Sequence, residues 1–404
     1  MVMKKIIALA LSTATLLSVL TGCKKKLPKF ELELGDTITM GEYQGESIEW
    51  EVKHRTFEVG QNKVIVELQS TCAIECLPFN EDGASSWEDC TLREWLNNDF
   101  YEEAFSKSEK KKILDTSYSM YTGDTRWLTD KVYISDEYLK YRFNAEEATC
   151  KPTKYTKKQG IRMEDGSCMY WTRVVMPLTN GGKDIITTFP ICLGTTANSA
   201  GGPTVEDLNC AEDVGVRPWI SIEYEGTFEM KDINPADRVI MGTYDGDPIT
   251  WIVFESDKDG LKLLSKYGLE KMKMDKDPSA NEFAETDLHD WLNDDFYEDA
   301  FSKSEKKMIV ANDDNDNVSL IGKLSIKDGV DRDFMFELVV GTGYSKAYCE
   351  NNETTEKDAV DTFWCNYLYE QNQKLSTYMG GFMQYNTPDA NEENSVRPFI
   401  TIKF

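Results

Sequence analysis

Two stretches of nineteen residues decide the fold: WLNNDFYEEAFSKSEKKKI at residues 95–113 and WLNDDFYEDAFSKSEKKMI at residues 291–309. The second repeats the first 196 positions later with three substitutions. Self-similarity at this level indicates an internal duplication, in which each copy follows one structural plan. The duplicated stretch is either a functional site or a piece of scaffold, and its residue pattern separates the two.

The pattern predicts two capped helices. Thr91 and Glu94 fit a capping box that starts the first helix, and Ser106 and Glu109 fit one that starts the second. Ser302 and Glu305 repeat the second capping box in copy two. Apolar residues between the boxes recur at helical spacing and form one face. In the two copies these residues are Leu92, Trp95, Leu96 and Phe100, and Leu288, Trp291, Leu292 and Phe296.

A functional interpretation uses the polar side chains of the same stretch as ligands or acid–base groups. In the first copy these are Asn97, Asp99, Glu102 and Glu109. A structural interpretation makes them helix caps and solvated faces, and it accounts for every shared position by packing and capping. We therefore predict that the repeated stretch is scaffold.

The duplication extends to both ends of each copy. Residues 38–52 and 239–253 both read as strand, turn, strand, with Gln44-Gly45 and Asp245-Gly246 at the turns. Alternation around Trp50 and Trp251 predicts that one face of the second strand is buried. VRPWISIEY at 216–224 and VRPFITIKF at 396–404 predict a closing strand in each copy. Each copy is therefore expected to be an α+β domain.

The N-terminus predicts export. Lys4 and Lys5 precede an apolar run at residues 6–20, which has the pattern of a secretory signal. The run ends in L-T-G-C and is similar to the lipobox of bacterial lipoproteins, which implies cleavage before Cys23 and lipidation of its thiol. Two acyl chains suffice for stable anchoring. We expect a protein anchored by lipid to the extracytoplasmic face of the cell membrane; the alternative is an ordinary signal peptide with a chance cysteine.

Net charge and cysteine count bear on two questions: whether the protein binds nucleic acid and whether it forms disulfides. A net charge of −26 argues against nucleic acid, whose binding requires clustered lysine and arginine. Ten cysteines are present, so nine remain once Cys23 is set aside. An exported chain permits disulfides, but spacing alone does not give their connectivity. Cys349 and Cys365 are a plausible local pair, whereas Cys72 and Cys76 make a poor zinc motif.

Several motifs resemble those of a bacterial family known as domain of unknown function 6273. They are W-L-N-x-D-F-Y-x-x-A-F-S-x-x-E-K, Val132-Tyr133-Ile134-Ser135, Cys150-Lys151-Pro152-Thr153-Lys154-Tyr155 and Gly215-Val216-Arg217-Pro218. The resemblance covers nearly all of the first copy after residue 35 and the second more weakly. It implies a C-type-lectin-like or formylglycine-generating-enzyme-like fold, with a twisted antiparallel sheet, short flanking helices and long loops. The second copy departs from the first where Arg173 is replaced by Asn366.

These observations give the following domain organisation. The boundaries are 1–22 for the signal peptide, 23–34 for the lipidated tether, 35–226 for the first repeat domain, 227–236 for a linker and 237–404 for the second repeat domain.

Motifs that carry catalysis are absent from the sequence. Two histidines, His54 and His289, do not recur between copies, and no nucleophile-elbow, zinc-protease or phosphate-loop motif occurs. We therefore expect no cofactor and no metal. Asp313 to Asn317 suit calcium ligation or, as we favour, a solvated acidic turn. The candidates for a ligand surface are Trp127, Trp171, Arg173 and Trp364.

The resulting hypothesis is a surface lipoprotein with two tandem domains that bind or adhere to a glycan or a protein without catalysis. The alternatives are a divergent cell-envelope enzyme of formylglycine-generating-enzyme-like fold and a structural envelope protein. Aromatic rings beside carboxylates and amides suit stacking on sugars, which favours the binding hypothesis.

Overall fold

A computed structural model shows an α+β chain made mostly of strands, with a few short helices. The residues that it describes are 27–84, 86–119, 127–135, 149–164, 166–173, 178–180, 183–185, 191–193, 205–207, 209–322, 345–346, 348–349, 362–369, 374–379 and 384–403. The predicted signal peptide and Cys23 lie outside these residues. Within the described residues, no helix has both the length and the apolar character that a membrane span requires.

The chain divides into two compact units. The first takes its described residues from Met1–Arg55, Gln61–Thr116 and Thr129–Phe228. The second takes its residues from Thr56–Gly60, Ser117–Leu128 and Glu229–Phe404. Each unit therefore follows one copy of the sequence repeat, apart from two short segments of the first copy that group with the second unit.

Residues 37–225 contain eighteen described strands and four helices. The strands are β1 (Thr37–Tyr43), β2 (Glu46–Glu58), β3 (Lys63–Ser70), β4 (Cys72–Ala73), β5 (Glu75–Leu77), β6 (Thr116–Ser119), β7 (Trp127–Asp130), β8 (Val132–Ile134), β9 (Lys151–Pro152), β10 (Met163–Glu164), β11 (Ser167–Cys168), β12 (Tyr170–Trp171), β13 (Leu178–Asn180), β14 (Lys183–Ile185), β15 (Ile191–Leu193), β16 (Val205–Asp207), β17 (Val214–Val216) and β18 (Pro218–Glu225). The helices are α1 (Thr91–Trp95), α2 (Tyr101–Ala104), α3 (Lys107–Lys110) and α4 (Lys154–Lys158), with a π-helical turn at Leu96–Phe100 that joins α1 to α2.

The first unit contains five strands of a ten-stranded sheet, a smaller five-stranded sheet and the two-stranded sheets β4-β9, β10-β11 and β13-β14. The five strands of the larger sheet follow the order β1-β2-β3-β18-β8, and the β1–β2, β3–β18 and β18–β8 pairs are antiparallel. The smaller has the order β16-β15-β12-β17-β5 and contains one parallel pair, β12–β17. The predicted antiparallel pairing thus holds for these pairs, but both sheets are mixed, because Thr56–Glu58 at the end of β2 pairs parallel with Arg238–Ile240.

The β1–β2 hairpin packs against the helical segment at residues 91–110, which we call the helical elbow, as we do the corresponding segment of the second unit. We call the contact between hairpin and elbow the lock. Gln44 and Gly45 have φ of 51° and 77°, as the predicted tight turn of the hairpin requires. Gly41 lies in a bulge of β1 with φ of +78°, and a Cβ there would lie 2.9 Å from the Ala104 carbonyl oxygen. Only glycine lets the strand approach the end of α2 so closely. The Trp50 indole N–H then donates to the Met40 carbonyl at 2.7 Å, which closes the core beneath the hairpin.

The helix caps confirm one prediction and correct the other. Ser106 and Glu109 form the predicted capping box at the start of α3. The first helix is capped by Cys90, whose Sγ accepts from the Arg93 N–H at 3.4 Å, so the prediction of Thr91 as its cap was wrong by one residue. Cysteine is a weak acceptor and was overlooked for that reason.

Residues 238–402 contain ten described strands, three α-helices and a 3-10 helix at Phe283–Glu285. The strands are β19 (Arg238–Tyr244), β20 (Asp247–Asp257), β21 (Gly260–Ser265), β22 (Glu270–Lys273), β23 (Ile309–Val310), β24 (Thr362–Tyr369), β25 (Lys374–Met379), β26 (Gln384–Asn386), β27 (Glu393–Val396) and β28 (Phe399–Ile402). The helices are α5 (Asp287–Trp291), α6 (Tyr297–Ala300) and α7 (Lys303–Lys306), again with a π-helical turn at Leu292–Phe296 between the first two.

The second unit repeats the plan of two sheets. The strands β19-β20-β21-β28-β23 pair antiparallel in that order, and β22-β27-β24-β25-β26 form a mixed sheet with β24 and β27 parallel. Trp251 donates to the Met241 carbonyl at 2.8 Å, as Trp50 does to Met40. Gly242 has φ of +74°, and its Cβ would lie 2.9 Å from the Ala300 carbonyl oxygen. The contacts that lock hairpin to elbow therefore occur in both units.

Candidate ligand-binding groove

The polar residues of the repeated stretch hold the scaffold together. The Asn97 amide donates to the carbonyls of Arg93 and Val132 at 3.0 and 2.9 Å. Its Oδ1 accepts from the backbone N–H groups of Lys131 and Val132 at 2.9 and 3.1 Å. Asn293 makes the four corresponding bonds in the second unit. Asn97 thus ties the start of β8 to the helical elbow, and Asn293 ties the non-strand segment at residues 317–318 to the elbow of the second unit.

Glu109 has two structural tasks. One carboxylate oxygen completes the α3 capping box, and the other accepts from the Gly41 N–H at 2.8 Å. Burial acts to raise the pKa of this carboxyl, but the hydrogen bonds from Ser106 and Gly41 outweigh it and hold the pKa below its ordinary value of 4.5. Glu305 is held in the same way by Ser302 and Gly242. Charge on these two residues supports the fold.

Two of the predicted ligand residues are core side chains. Trp171 and Trp364 are both 0% exposed. The Trp171 indole N–H donates to the Leu77 carbonyl and that of Trp364 to the Met272 carbonyl, each at 2.8 Å. Neither ring presents a face to a ligand in this structure, so packing accounts for both.

Arg173 is also buried, at 6% exposed. Its backbone N–H donates to the Ser135 carbonyl at 2.9 Å and its Nε donates to the Ile134 carbonyl at 3.1 Å. Asn366 keeps the backbone bond, to Ile321 at 2.9 Å, in the second unit. The departure between the copies therefore changes a side chain while this backbone hydrogen bond stays.

Trp127 is half-buried and groups with the second unit. Its ring centroid lies 5.1 Å from that of Tyr267 in an edge-on arrangement, and it packs against Tyr348 and Cys349. The four predicted ligand residues are therefore not brought to one surface, and their role in binding stays a prediction.

A groove of about 440 Å³ lies in the first unit, between the β1–β2 hairpin and the segments at residues 71–74 and 152–154. We call it the hairpin groove. Its wall carries hydroxyl, carboxylate, thiol and ammonium groups in a small space. The polar side chains that matter most to its chemistry are Tyr43, Glu46, Ser47, Glu49, Cys72 and Lys154.

Some lining groups are fixed by the protein. Glu46 Oε1 accepts from the Tyr155 N–H at 2.9 Å, at the start of α4. The Tyr43 hydroxyl donates to Glu75 Oε2 at 2.8 Å. Burial, together with the charge and hydrogen bond of Glu75, raises the pKa of Tyr43 well above its ordinary value of 10.0, so this phenol stays protonated. These residues form a rigid back wall.

Other lining groups are available to a ligand. Ser47, Glu49 and Lys154 are exposed, and their side chains make no hydrogen bond or ion pair with the other described residues. A carboxylate, an ammonium and a hydroxyl around one concave surface suit a ligand rich in hydroxyl, amine or carboxylate groups. Sugars and peptide ends are of this kind.

The groove is where the two units differ. The Thr71 N–H donates to the Glu49 carbonyl at 2.9 Å, and the Lys266 N–H donates to the Thr250 carbonyl at 2.8 Å, which sets the correspondence between the copies. Around these matching backbone bonds five lining side chains change, whereas Tyr43 and Glu46 correspond to Tyr244 and Asp247. Thr39, Ser47, Glu49, Thr71 and Cys72 correspond to Ile240, Pro248, Thr250, Lys266 and Tyr267.

Metal ligation and disulfides were also considered from the sequence. No group of three His, Cys, Asp or Glu side chains is arranged to hold a metal ion within the described part of the chain. Asn312 Oδ1 accepts from the N–H groups of Asp314 and Asp316, so the acidic turn is held by its own asparagine. Cys349 and Cys365 are both free thiols, so the local bridge considered from the sequence is absent.

Sequence reasoning missed the hairpin groove because its walls come from residues 39–49, 71–74 and 152–154. The repeat did hold a signal for it. When the copies are aligned on their hairpins, the outward-facing positions change while the inward-facing ones persist.

Comparison with known proteins assigns one part of the chain. No curated protein and no solved structure matches the chain. A family model described as Domain of unknown function (DUF6273) matches residues 68–223, which supply one wall of the hairpin groove, while the hairpin itself precedes the matched segment. Residues 68–223 are therefore one DUF6273 domain.

Proposed function

We propose that the protein is a lipid-anchored surface protein whose extracytoplasmic part binds a glycan or a protein ligand without catalysis. The observation that carries the proposal is the hairpin groove, in which Ser47, Glu49 and Lys154 remain available around a rigid back wall. Binding sites commonly combine a pre-formed concavity with a few placed polar groups. Asn97, Glu109 and their counterparts in the second copy are occupied by scaffold contacts, which favours the groove as the source of specificity.

We also propose that the second unit is a second copy of the same domain, and that both copies have a C-type-lectin-like fold. The matched clamps of Asn97 and Asn293 and the matched glycine contacts of Gly41 and Gly242 support the duplication. In that case the second copy has a different specificity, because Ile240, Pro248 and Tyr267 replace Thr39, Ser47 and Cys72 of the first. Two different sites on one tether suit a ligand with two kinds of feature.

The binding proposal is tested with the full-length protein in detergent on an array of glycans and peptidoglycan fragments. We expect a defined set of ligands to bind, and Glu49→Gln to weaken that binding at least tenfold with the thermal unfolding temperature unchanged. Thr250→Ala, at the corresponding position of the second unit, is the matched control and should leave these ligands bound. A blank array, together with no surface partner captured by crosslinking in cells, would contradict the proposal.

The anchor is tested separately. Cys23→Ala removes the thiol that the lipobox-like sequence presents for lipidation, so we expect the protein to move from the membrane fraction into the medium. Cys72→Ala is the control and should leave the protein in the membrane fraction. Retention of the Cys23→Ala protein in the membrane would refute the anchor.

A further inference from the structure

Three thiols lie side by side in the first unit. Cys72 is half-buried on the wall of the hairpin groove, while Cys150 and Cys168 are buried behind it. Strand β4 pairs with β9 so that Cys72 lies opposite Lys151, the residue after Cys150. The three side chains thus lead from the groove into the core.

Cys150 and Cys168 are joined through their backbones. The Cys168 N–H donates to the Cys150 carbonyl at 2.8 Å, and the Cys168 thiol donates to the same carbonyl at 3.3 Å. A direct backbone hydrogen bond brings two Cα atoms to about 5–6 Å, the separation found in disulfides. The pair can therefore be bridged with little movement of the chain.

The surroundings shift the pKa values of the three thiols in different directions. Burial raises the pKa of Cys72. Burial also acts on Cys150, but the hydrogen bond from Cys168 and the charge of Arg217 outweigh it and lower the pKa of Cys150. The pKa of Cys168 is raised because its proton is held in that hydrogen bond. Cys150 is thus the thiol of the pair that ionises more easily, beside a fixed positive charge.

The second unit shows that the scaffold does not need the Cys72 thiol. Arg217 donates from Nε to the Ser70 carbonyl at 2.9 Å, and Arg397 makes the corresponding bond to Ser265 at 2.8 Å. The arginine is therefore kept in both units for structure. At the position of Cys72 the second unit has Tyr267. The thiol that faces the groove is specific to the first unit.

We propose that Cys72, Cys150 and Cys168 form a thiol–disulfide exchange site that opens into the hairpin groove and takes small-molecule disulfides as its substrate class. The Cys72 thiolate attacks a disulfide RSSR, forms a mixed disulfide and releases RS⁻. The Cys150 thiolate then attacks the Cys72 sulfur and releases the second RS⁻. Finally Cys168, whose hydrogen bond to Cys150 is lost when Cys150 is oxidised, gives up its proton and attacks the Cys150 sulfur, which leaves a Cys150–Cys168 disulfide and returns Cys72 as a thiolate.

The steps balance in atoms and electrons. Two protein thiols are oxidised, one RSSR is reduced to two RSH, and the two protons from Cys150 and Cys168 pass to the released thiolates. Each step is attack of a thiolate on a disulfide sulfur, so the rate depends on the thiolate fraction of the attacking group. Because the pKa of Cys72 is raised, the first step should accelerate as pH rises beyond 8. This inference is independent of whether the groove also binds a glycan.

The test uses reduced full-length protein mixed with excess oxidised glutathione at pH 8, with samples blocked by an alkylating reagent and mapped by mass spectrometry without reduction. We expect a peptide that joins Cys150 to Cys168 in the wild-type protein. Cys168→Ser should instead accumulate a Cys72–Cys150 link, because the last step is blocked. Cys72→Ser should form the Cys150–Cys168 link at least tenfold more slowly, and the control Cys76→Ser, another half-buried thiol, should match wild type.

A second measurement does not depend on any variant. In the reduced wild-type protein, a small alkylating reagent should modify Cys72 before Cys150 and Cys168, at a rate that rises with pH. No Cys150–Cys168 link in wild type would overturn the proposal, and so would equal rates in Cys72→Ser and wild type. Alkylation of Cys150 or Cys168 ahead of Cys72 would overturn the entry of substrate through the groove.

Discussion

Replacing Asn97 by alanine should destabilise the first unit strongly. Its side chain makes four hydrogen bonds, at 2.9–3.1 Å, with backbone groups of Arg93, Lys131 and Val132. Each such bond contributes about 1 kcal/mol net, and a buried group left unpaired costs about 1–3 kcal/mol. Val132 is 0% exposed, so water does not readily replace the lost partner. We expect a loss of about 4 kcal/mol in the free energy of unfolding.

The measurement is thermal unfolding followed by circular dichroism. For a unit of this size about 1 kcal/mol corresponds to roughly 2–4 °C, so the transition of the first unit should fall by roughly 8–16 °C. Asn98→Ala is the matched control: Asn98 lies next to Asn97 in the same π-helical turn, but it is exposed and should change stability by less than about 0.5 kcal/mol. Equal small effects of both substitutions would refute the clamp.

The same experiment separates scaffold from site. If Asn97 contacted a ligand, Asn97→Ala would abolish binding and leave the unfolding temperature unchanged. Asn293→Ala should produce a loss similar to that of Asn97→Ala, because its four bonds correspond one to one. A loss in one unit without a similar loss in the other would contradict the proposal that the two units are copies.

Two further predictions concern the lock between hairpin and elbow. Gly41→Ala should destabilise by about 2–4 kcal/mol in denaturant unfolding, because φ of +78° strains alanine and its Cβ would lie 2.9 Å from the Ala104 oxygen. Gly45→Ala, with φ of +77° but no atom within 4 Å of its Cβ, isolates the strain alone and should cost about 1 kcal/mol; equal losses would refute the close contact. The pKa of Glu109 is lower in the folded protein than its ordinary 4.5, so its contribution to stability is present above about pH 4.5 and is lost as pH falls through the folded value. Glu109→Gln should flatten that acid limb of the stability profile, and an unchanged limb would contradict the assigned role of the carboxylate.

Part of the fold follows directly from local sequence. The turn at Gln44-Gly45, the alternation around Trp50 and the capping box at Ser106 were all predictable, because each depends on residues within a few positions of one another. Cys90 was missed as a helix cap because cysteine rarely serves as one, although Thr286 occupies the corresponding position in the second unit. Aligning the two copies identifies position 90 as the cap, whereas the capping propensity of cysteine alone does not.

Burial and long-range assembly were not predictable to the same degree. Trp171 and Trp364 suggested a ligand surface because aromatic rings serve both cores and sugar sites, and only the fold shows that both are enclosed. Arg173 was placed at the same surface, yet it hydrogen-bonds to the Ile134 carbonyl from a position 39 residues away in the chain. The hairpin groove is lined by segments more than 100 residues apart in the chain, and no local sequence pattern predicts that they contact each other.

The bond from the Gly41 N–H to Glu109 spans 68 residues, and its counterpart from Gly242 to Glu305 spans 63. A helix cap of this kind is completed by a distant strand, so an isolated peptide of residues 95–113 lacks its full cap. The hairpin is synthesised before the elbow in each unit, since residues 37–58 precede residues 91–110. During synthesis, each contact between hairpin and elbow can therefore form as soon as its own glutamate has been added, before the rest of that unit is made.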